Sequence, residues 1–224
     1  MSNIRIILQA RTLSYRLLAK SLLPISGIPL AVLCAKRLGN TGFPVTIVIP
    51  KIKIDDTLFH TLKKYKLNVI RGNHTDVISR YVKVAKKMKS NEIIIRATAD
   101  NPLPDGYFVK EMVKLFENFK RNYMCTHEKF FNLPYGLAVQ LFRAKDLLRV
   151  SKKKLSKKDK EHVVVALAKD RINTSYKGKL KTYKKFYVKD KLSIDTLDDY
   201  IKLEKMFRKC KNPIKTKWQK IIKK

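Results

Sequence analysis

Glycine, cysteine, tryptophan and acidic side chains are all scarce in this 224-residue chain, and most of these shortages exclude something. The seven glycines never fall into the G-x-G-x-x-G or G-x-x-x-x-G-K-[ST] spacing, which counts against NAD binding and against an ordinary P-loop ATPase. Cys34, Cys125 and Cys210 are odd in number, far apart and without metal-ligand spacing, so they read as buried or incidental thiols of a reducing cytoplasm. His60, His74 and His127 show no pairing that would hold a metal. No window approaches eighteen uninterrupted apolar residues, so no membrane span is expected. Arg5 interrupts the first apolar run, so the cationic-then-apolar layout of a secretory signal is missing. The expectation is a cytoplasmic protein.

The acidic shortage is the largest: 18 Asp and Glu against 51 Lys and Arg, a formal net charge of +33. Residues 1–150 hold 26 basic and 10 acidic residues (+16), and 151–224 hold 25 and 8 (+17) in half the length. Such a balance invites a polyanionic partner. Most of the cations are lysines scattered in pairs, whereas specific readout favours clustered arginine interleaved with aromatics. Nucleic acid is therefore disfavoured as a partner.

What is present is a rhythm of apolar runs and helical periods. Ile4–Leu8, Val45–Ile49, Leu67–Ile70 and Glu92–Ile95 read as strands, and 29–38, 55–65, 76–88 and 105–119 as helices. Asp55 or Asp56 is the expected cap of the second helix. The near-continuous apolar strands point to a parallel sheet covered on both faces. Further strands are expected at 122–126, 136–142, 181–188 and 192–194. Helices are expected from Glu161 to Asp170 and from a Thr196 cap to about Lys209. An apolar fraction of 45% suffices for one core over residues 1–211. The stretch 151–160 (SKKKLSKKDK) reads as a flexible excursion, and 212–224 as a basic tail forming a loose amphipathic turn.

The chemistry concentrates after the first strand. QARTLSYRLLAKSL spaces Arg11, Ser14, Arg16 and Lys20 along a loop, as a polyanion at the edge of a parallel sheet requires; a solvated basic loop is the bland alternative. In parallel sheets ligands gather at the carboxyl ends of strands, where this loop, the turn at 71–75 and the segment 96–105 would meet. Asp100 follows a strand there and could hold Mg²⁺ against a phosphate, or simply cap a turn. Asp195 repeats the pattern, with Thr196 the more natural helix cap. Two distant aspartates and a basic loop make a coherent nucleotidyl-transfer site. His162, beside Glu161, reads as a general base or as a helix-start residue.

These strings resemble the cytidylyltransferase family typified by spore-coat polysaccharide biosynthesis proteins, relatives of the CMP-sialic acid and CMP-Kdo synthetases. An opening close to QARMGSTRLPGKVL is matched with Arg11, Ser14, Arg16 and Lys20 kept. Gly72 with Asp76, Val77, Arg80 and Tyr81 follows, then Arg96, Thr98, Ala99, Asp100, Pro102, Leu103 and Asp105. Pro134-Tyr135-Gly136, Glu161-His162-Val163 and 192–196 with Asp198 complete the order. The departures are Leu13, Leu18 and Ala19 in the first loop, and Ala138 and Gln140 where the family often carries acids. They bear on triphosphate affinity and on acceptor choice.

The resemblance implies an α/β fold, a three-layer α/β/α Rossmann-like nucleotidyltransferase with a mostly parallel central sheet. It implies transfer of CMP from CTP to a sugar acid, phosphorylated or phosphonate acceptor, with Mg²⁺ as cofactor and a homodimer as the assembly. Arg11, Lys20 and Asp100 would be catalytic, and Asp100 with Asp195 would hold the metal. Ser14, Arg16, Arg71, Asp76, Arg80 and Arg96 would join Arg11 and Lys20 at the nucleotide. Tyr135, Gln140, Glu161 and His162 would face the acceptor. Rival readings are a noncatalytic relative, a glycosyltransferase on a related sheet and a basic RNA-binding protein.

Overall fold

A computed structural model describes residues 3–118, 122–126, 133–169 and 190–223. Its main sheet is built from β1 (Ile4–Gln9), β4 (Val45–Pro50), β5 (Asn68–Gly72), β6 (Ile93–Thr98), β7 (Tyr123–Cys125) and β8 (Gln140–Arg143). The order is β5-β4-β1-β6-β8-β7. β1 lies between parallel partners, with Ile7 opposite Thr46 on one side and Arg96 on the other. β8 runs antiparallel to β6, and β7 antiparallel to β8, so β8 alone is reversed and the edge strand β7 runs with the four parallel strands. A two-stranded hairpin, β2 (Pro24–Ile25) and β3 (Ile28–Pro29), sits apart from the sheet.

The apolar strands are buried on both faces because helices cover both. On one side lie α1 (Leu30–Leu38), α2 (Asp56–Lys64), α4 (Gly106–Asn118), α8 (Leu197–Arg208) and α9 (Trp218–Ile222), packed around Ile6, Leu8, Ile47 and Ile95. On the other lie α3 (Val77–Ala85), α5 (Ala144–Ser151) and α7 (Val163–Lys169), packed around Ile7, Val48, Ile94 and Phe142. This alternation along each strand is the period of two expected of a pleated sheet. The chain steps outward from β1 to β4 and β5, then returns to the other side of β1 with β6. That reversal opens a crevice at the carboxyl ends of β1 and β6.

Four local expectations are corrected. Residues 192–194 form no strand of the sheet; Leu192 N–H donates to the Tyr135 carbonyl and Ile194 N–H to that of Asp100, each at 2.9 Å. Gly136 permits this crossing, since at φ +98° it has no Cβ, and a Cβ there would strike the Leu192 carbonyl. The helix from 161 is broken at His162, which separates α6 (Lys157–Glu161) from α7. Within 151–160, Ser156 caps α6 in a reciprocal capping box with Asp159, so that half of the excursion is ordered helix. The loose amphipathic turn is instead α9, with Trp218 and Ile221 fully buried. The strand expected at 181–188 and His127 lie outside the described residues.

The end of the chain is held by ion and hydrogen-bond chemistry as well as by apolar burial. Arg37, on α1 and fully buried, donates to the carbonyls of Pro102 (2.7 Å), Leu103 (2.8 Å), Thr216 (2.9 Å) and Pro213. Asp105 lies 3.6 Å from the same guanidinium and accepts the backbone N–H groups of Phe108 and Trp218. One buried pair therefore ties α1, the loop after β6, α4 and α9 together.

Candidate active site

A cleft of about 490 Å³ opens at the crevice between β1 and β6. Gln9 lines it from the end of β1, Arg11, Ser14, Tyr15, Arg16 and Lys20 from the first loop, Arg96, Thr98 and Asp100 from β6 and its end, and His162 and Asp195 from beyond the sheet. The loop at 10–20 is shaped by its own backbone. Ala19 takes a left-handed conformation (φ 53°, ψ 24°) and opens a short 3-10 turn over Lys20–Leu22. The Ala19 N–H returns to the Thr12 carbonyl, and the Ser21 hydroxyl donates to the Arg11 carbonyl. The turn aims Lys20 inward while Tyr15 stays almost wholly exposed.

Lys20 is the hub. Its ammonium lies 3.2 Å from Asp100 Oδ2, 3.1 Å from Asp195 Oδ1 and 2.7 Å from the Ile194 carbonyl. Aspartates 95 residues apart thus meet at one cation, because Ile194 is hydrogen-bonded to the Asp100 backbone. Arg16 adds a contact to Asp195 Oδ1 at 2.7 Å, and Lys191 one to Asp195 Oδ2 at 2.9 Å. Burial alone would raise the Asp195 carboxyl, but hydrogen bonds from Lys191, Lys20 and Arg16 outweigh it and hold the group far below the usual carboxylate range. Thr196 caps α8 in a capping box with Asp199, which leaves Asp195 free for the cleft, as its sequence context suggested.

Other expected residues fall elsewhere. Arg71 does not line the cleft; it donates to the Ile52 carbonyl, pairs with Asp56 at 2.6 Å and lies over the Phe59 ring, so it fastens the start of α2. Asp76 caps α3 by accepting the Ser79 N–H at 2.9 Å. Arg80 is buried beneath Gly72, where its stem occupies the place of a Cβ, and burial lowers its pKa. Tyr135 and Glu161 are outside the cleft lining, although the Tyr135 carbonyl positions Leu192. Gln140 acts through Arg96: the guanidinium donates to Gln140 Oε1 (2.8 Å) and to Gln9 Oε1 (3.2 Å), a row across three neighbouring strands. Among the described residues no carboxylate pairs with Arg96, so two neutral amides hold this cation at the cleft wall.

Sequence reasoning missed two functional supports. Asp55, expected as a helix cap, makes no cap bond; fully buried, it accepts the Thr12 N–H at 2.6 Å and anchors the first loop. Lys191 carried no signal beyond its i, i+4 spacing to Asp195. Beneath the Asp100 loop, the Cys34 thiol donates to the carbonyls of Ala99 and Asn101, and burial pushes its pKa up.

A strand-end cleft with a basic loop and two converging carboxylates suits nucleotidyl transfer, and the comparisons with known proteins give the family. The cytidylyltransferase family model matches residues 5–220. The chain belongs to that family. It is 28% identical over 219 residues to the spore coat polysaccharide biosynthesis protein SpsF of Bacillus subtilis, covering 94% of this chain and 88% of that one. It is 31% identical over 102 residues to the 3-deoxy-manno-octulosonate cytidylyltransferase of Dichelobacter nodosus, covering 45% and 41%. A solved cytidylyltransferase from Leptospira borgpetersenii superposes with a TM-score of 0.86 at 24% identity, over 100% of this chain and 93% of the other, which establishes the fold. This cytidylyltransferase is a CTP-dependent nucleotidyltransferase with a mostly parallel Rossmann-like sheet. Among its described residues no helix is long and apolar enough to cross a membrane.

The two carboxylates fit a magnesium ion. Their oxygens already converge on one small cation, the Lys20 ammonium, and oxygen ligands suit a hard dication. A two-carboxylate site leaves positions for water and phosphate oxygens, the usual habit of Mg²⁺ at nucleotide sites.

Proposed function

We propose that this enzyme transfers CMP from CTP to a sugar acid, phosphorylated or phosphonate acceptor for surface glycan synthesis. The observation that carries the reading is the Lys20 hub, which brings the first loop to Asp100 and Asp195 inside one cleft. Arg11, Ser14, Arg16 and Lys20 bind the triphosphate and stabilise charge growing on the β-phosphate as it leaves. Asp100 and Asp195 hold Mg²⁺, which when bound draws charge from the α-phosphate oxygens.

The acceptor oxygen bonds to the α-phosphorus, the bond from that phosphorus to the bridging oxygen breaks, and the bridging oxygen departs with pyrophosphate. An ionised acceptor needs no base; a hydroxyl passes its proton to His162, which lines the same cleft. The remaining work is alignment and charge stabilisation. Arg71, Asp76 and Arg80 contribute by fixing the walls, while Arg96, held by Gln140, lines the cleft beside the nucleotide.

The test is pyrophosphate release from each of four nucleoside triphosphates against panels of sugar acids, phosphorylated sugars and phosphonates. Release with CTP and an anionic acceptor is expected. Equal release from all four nucleotides, or none with any acceptor, overturns the reading.

A further inference from the structure

The carboxylate pair is already surrounded by cations of the chain itself. All three protons of the Lys20 ammonium have acceptors: Asp100 Oδ2, Asp195 Oδ1 and the Ile194 carbonyl. Both oxygens of Asp195 are taken, Oδ1 by Lys20 and Arg16, Oδ2 by Lys191. Lys191 also lies 2.7 Å from Asp199 Oδ2, the oxygen that accepts the N–H groups of Asp195 and Thr196. Three side-chain cations thus stand against three carboxylates, and the cluster is neutral as it stands. A dication entering it would meet Lys20 and Arg16 at close range without compensating charge.

We propose that Lys20 and Lys191 are a built-in counter-cation for this pair, so that the free enzyme takes no divalent ion and the metal enters only with the triphosphate. The triphosphate supplies the missing negative charge and draws Lys20 and Arg16 off the carboxylates, turning the lysine that closes the site into a phosphate ligand. Arg16, 68% exposed, is free to swing with it. Lys191 stays behind on Asp195 Oδ2 and Asp199, orienting Asp195 so that Oδ1 is the oxygen released to the metal. Lys191 is therefore a positioning residue, and binding is ordered by charge. This inference rests on the metal assignment above.

Mn²⁺ serves as the probe, counted by loss of the free-ion paramagnetic resonance signal, with CTP alone as the blank. For the wild-type protein, no Mn²⁺ site tighter than millimolar is expected without nucleotide, and one site per chain with CTP. Lys191→Met and Lys20→Met are each expected to tighten nucleotide-free Mn²⁺ binding by about tenfold, the removal of one neighbouring positive charge. Lys191→Arg, which keeps the charge, is expected to behave as wild type and controls for folding. Equal Mn²⁺ affinity of the wild type with and without CTP overturns the proposal, as do unchanged affinities in both Met variants. Failure of Mn²⁺ to bind even with CTP removes the metal assignment itself, a result distinct from either.

Discussion

Arg37 and Lys20 grip the same loop after β6 from opposite sides, Arg37 from beneath at 102–105 and Lys20 from the cleft at Asp100. Arg37 is fully buried, and its partners are backbone carbonyls, one carboxylate and the Phe207 ring. Burial lowers its pKa to about 10, against the opposing pull of Asp105. Lys20 is 14% exposed at its side chain, and two of its three partners are carboxylates, one of which, Asp195, it shares with Arg16 and Lys191. The first cluster is saturated by atoms that cannot move without unfolding the chain. The second faces a cleft and can exchange its partners for phosphate and metal. Charged residues five positions apart on one loop thus divide into structure and chemistry by where their partners come from.

The sharpest way to break this contrast is to neutralise Asp100. Asp100→Asn is expected to lower kcat at least about 10³-fold, as for loss of a preorganised transition-state contact. Its unfolding free energy should move by less than about 1 kcal/mol, because the group is partly exposed. Urea melts beside pyrophosphate-release rates decide the matter, and turnover near wild type removes the metal role.

Arg37→Met should do the reverse. Leaving Asp105 buried without its cation is expected to cost about 3–5 kcal/mol in unfolding free energy. Turnover per folded molecule should be preserved at temperatures where the variant stays folded. A folded variant with abolished turnover would show that the Arg37 cluster acts in catalysis.

A smaller effect separates the clusters by pH. The Asp195 carboxyl titrates well below its unfolded value near 3.9, so its contribution to stability is present above that value and is lost as pH falls toward the folded one. The stability gap between wild type and Asp195→Asn should therefore be constant from about pH 7 to pH 5 and shrink below about pH 4. A gap that widens in acid contradicts the assigned direction of the shift.

The parallel strands and their order along the chain were legible because each is a short, nearly unbroken apolar run. Asp100, Asp195 and Lys20 could be grouped for a related reason: each sits where a run gives way to a turn. Arg71 and Asp76 fall outside the cleft lining although the sequence groups them with it, because a strand-end cation and a helix-cap carboxylate look alike in sequence whether they face a cleft or a neighbouring helix. Residues 192–194 have a strand's composition, yet their hydrogen bonds go to loops through the gap that Gly136 leaves, and composition does not encode that. Trp218 looked like one aromatic among lysines. It is buried in the apolar core, and Asp105 accepts its backbone N–H across 113 residues, a contact without local signature.

The smallest expected effect concerns Ala19, which stands where the resembling motif carries glycine. At φ 53° its Cβ crowds the following carbonyl, at a cost of roughly 1–2 kcal/mol for an L-residue. Glycine removes that strain but adds about 0.4–1 kcal/mol of unfolded-chain entropy, so the two effects largely cancel in global stability. Ala19→Gly is expected to change unfolding free energy by less than about 1 kcal/mol, in the stabilising direction. CTP affinity should rise by less than about fivefold, the share of strain relieved when the loop closes on phosphate. Titration calorimetry with CTP, beside urea melts, measures both. If glycine instead destabilises the fold by more than about 1 kcal/mol, the left-handed turn is not strained and the loop is held by its Thr12, Asp55 and Ser21 hydrogen bonds alone.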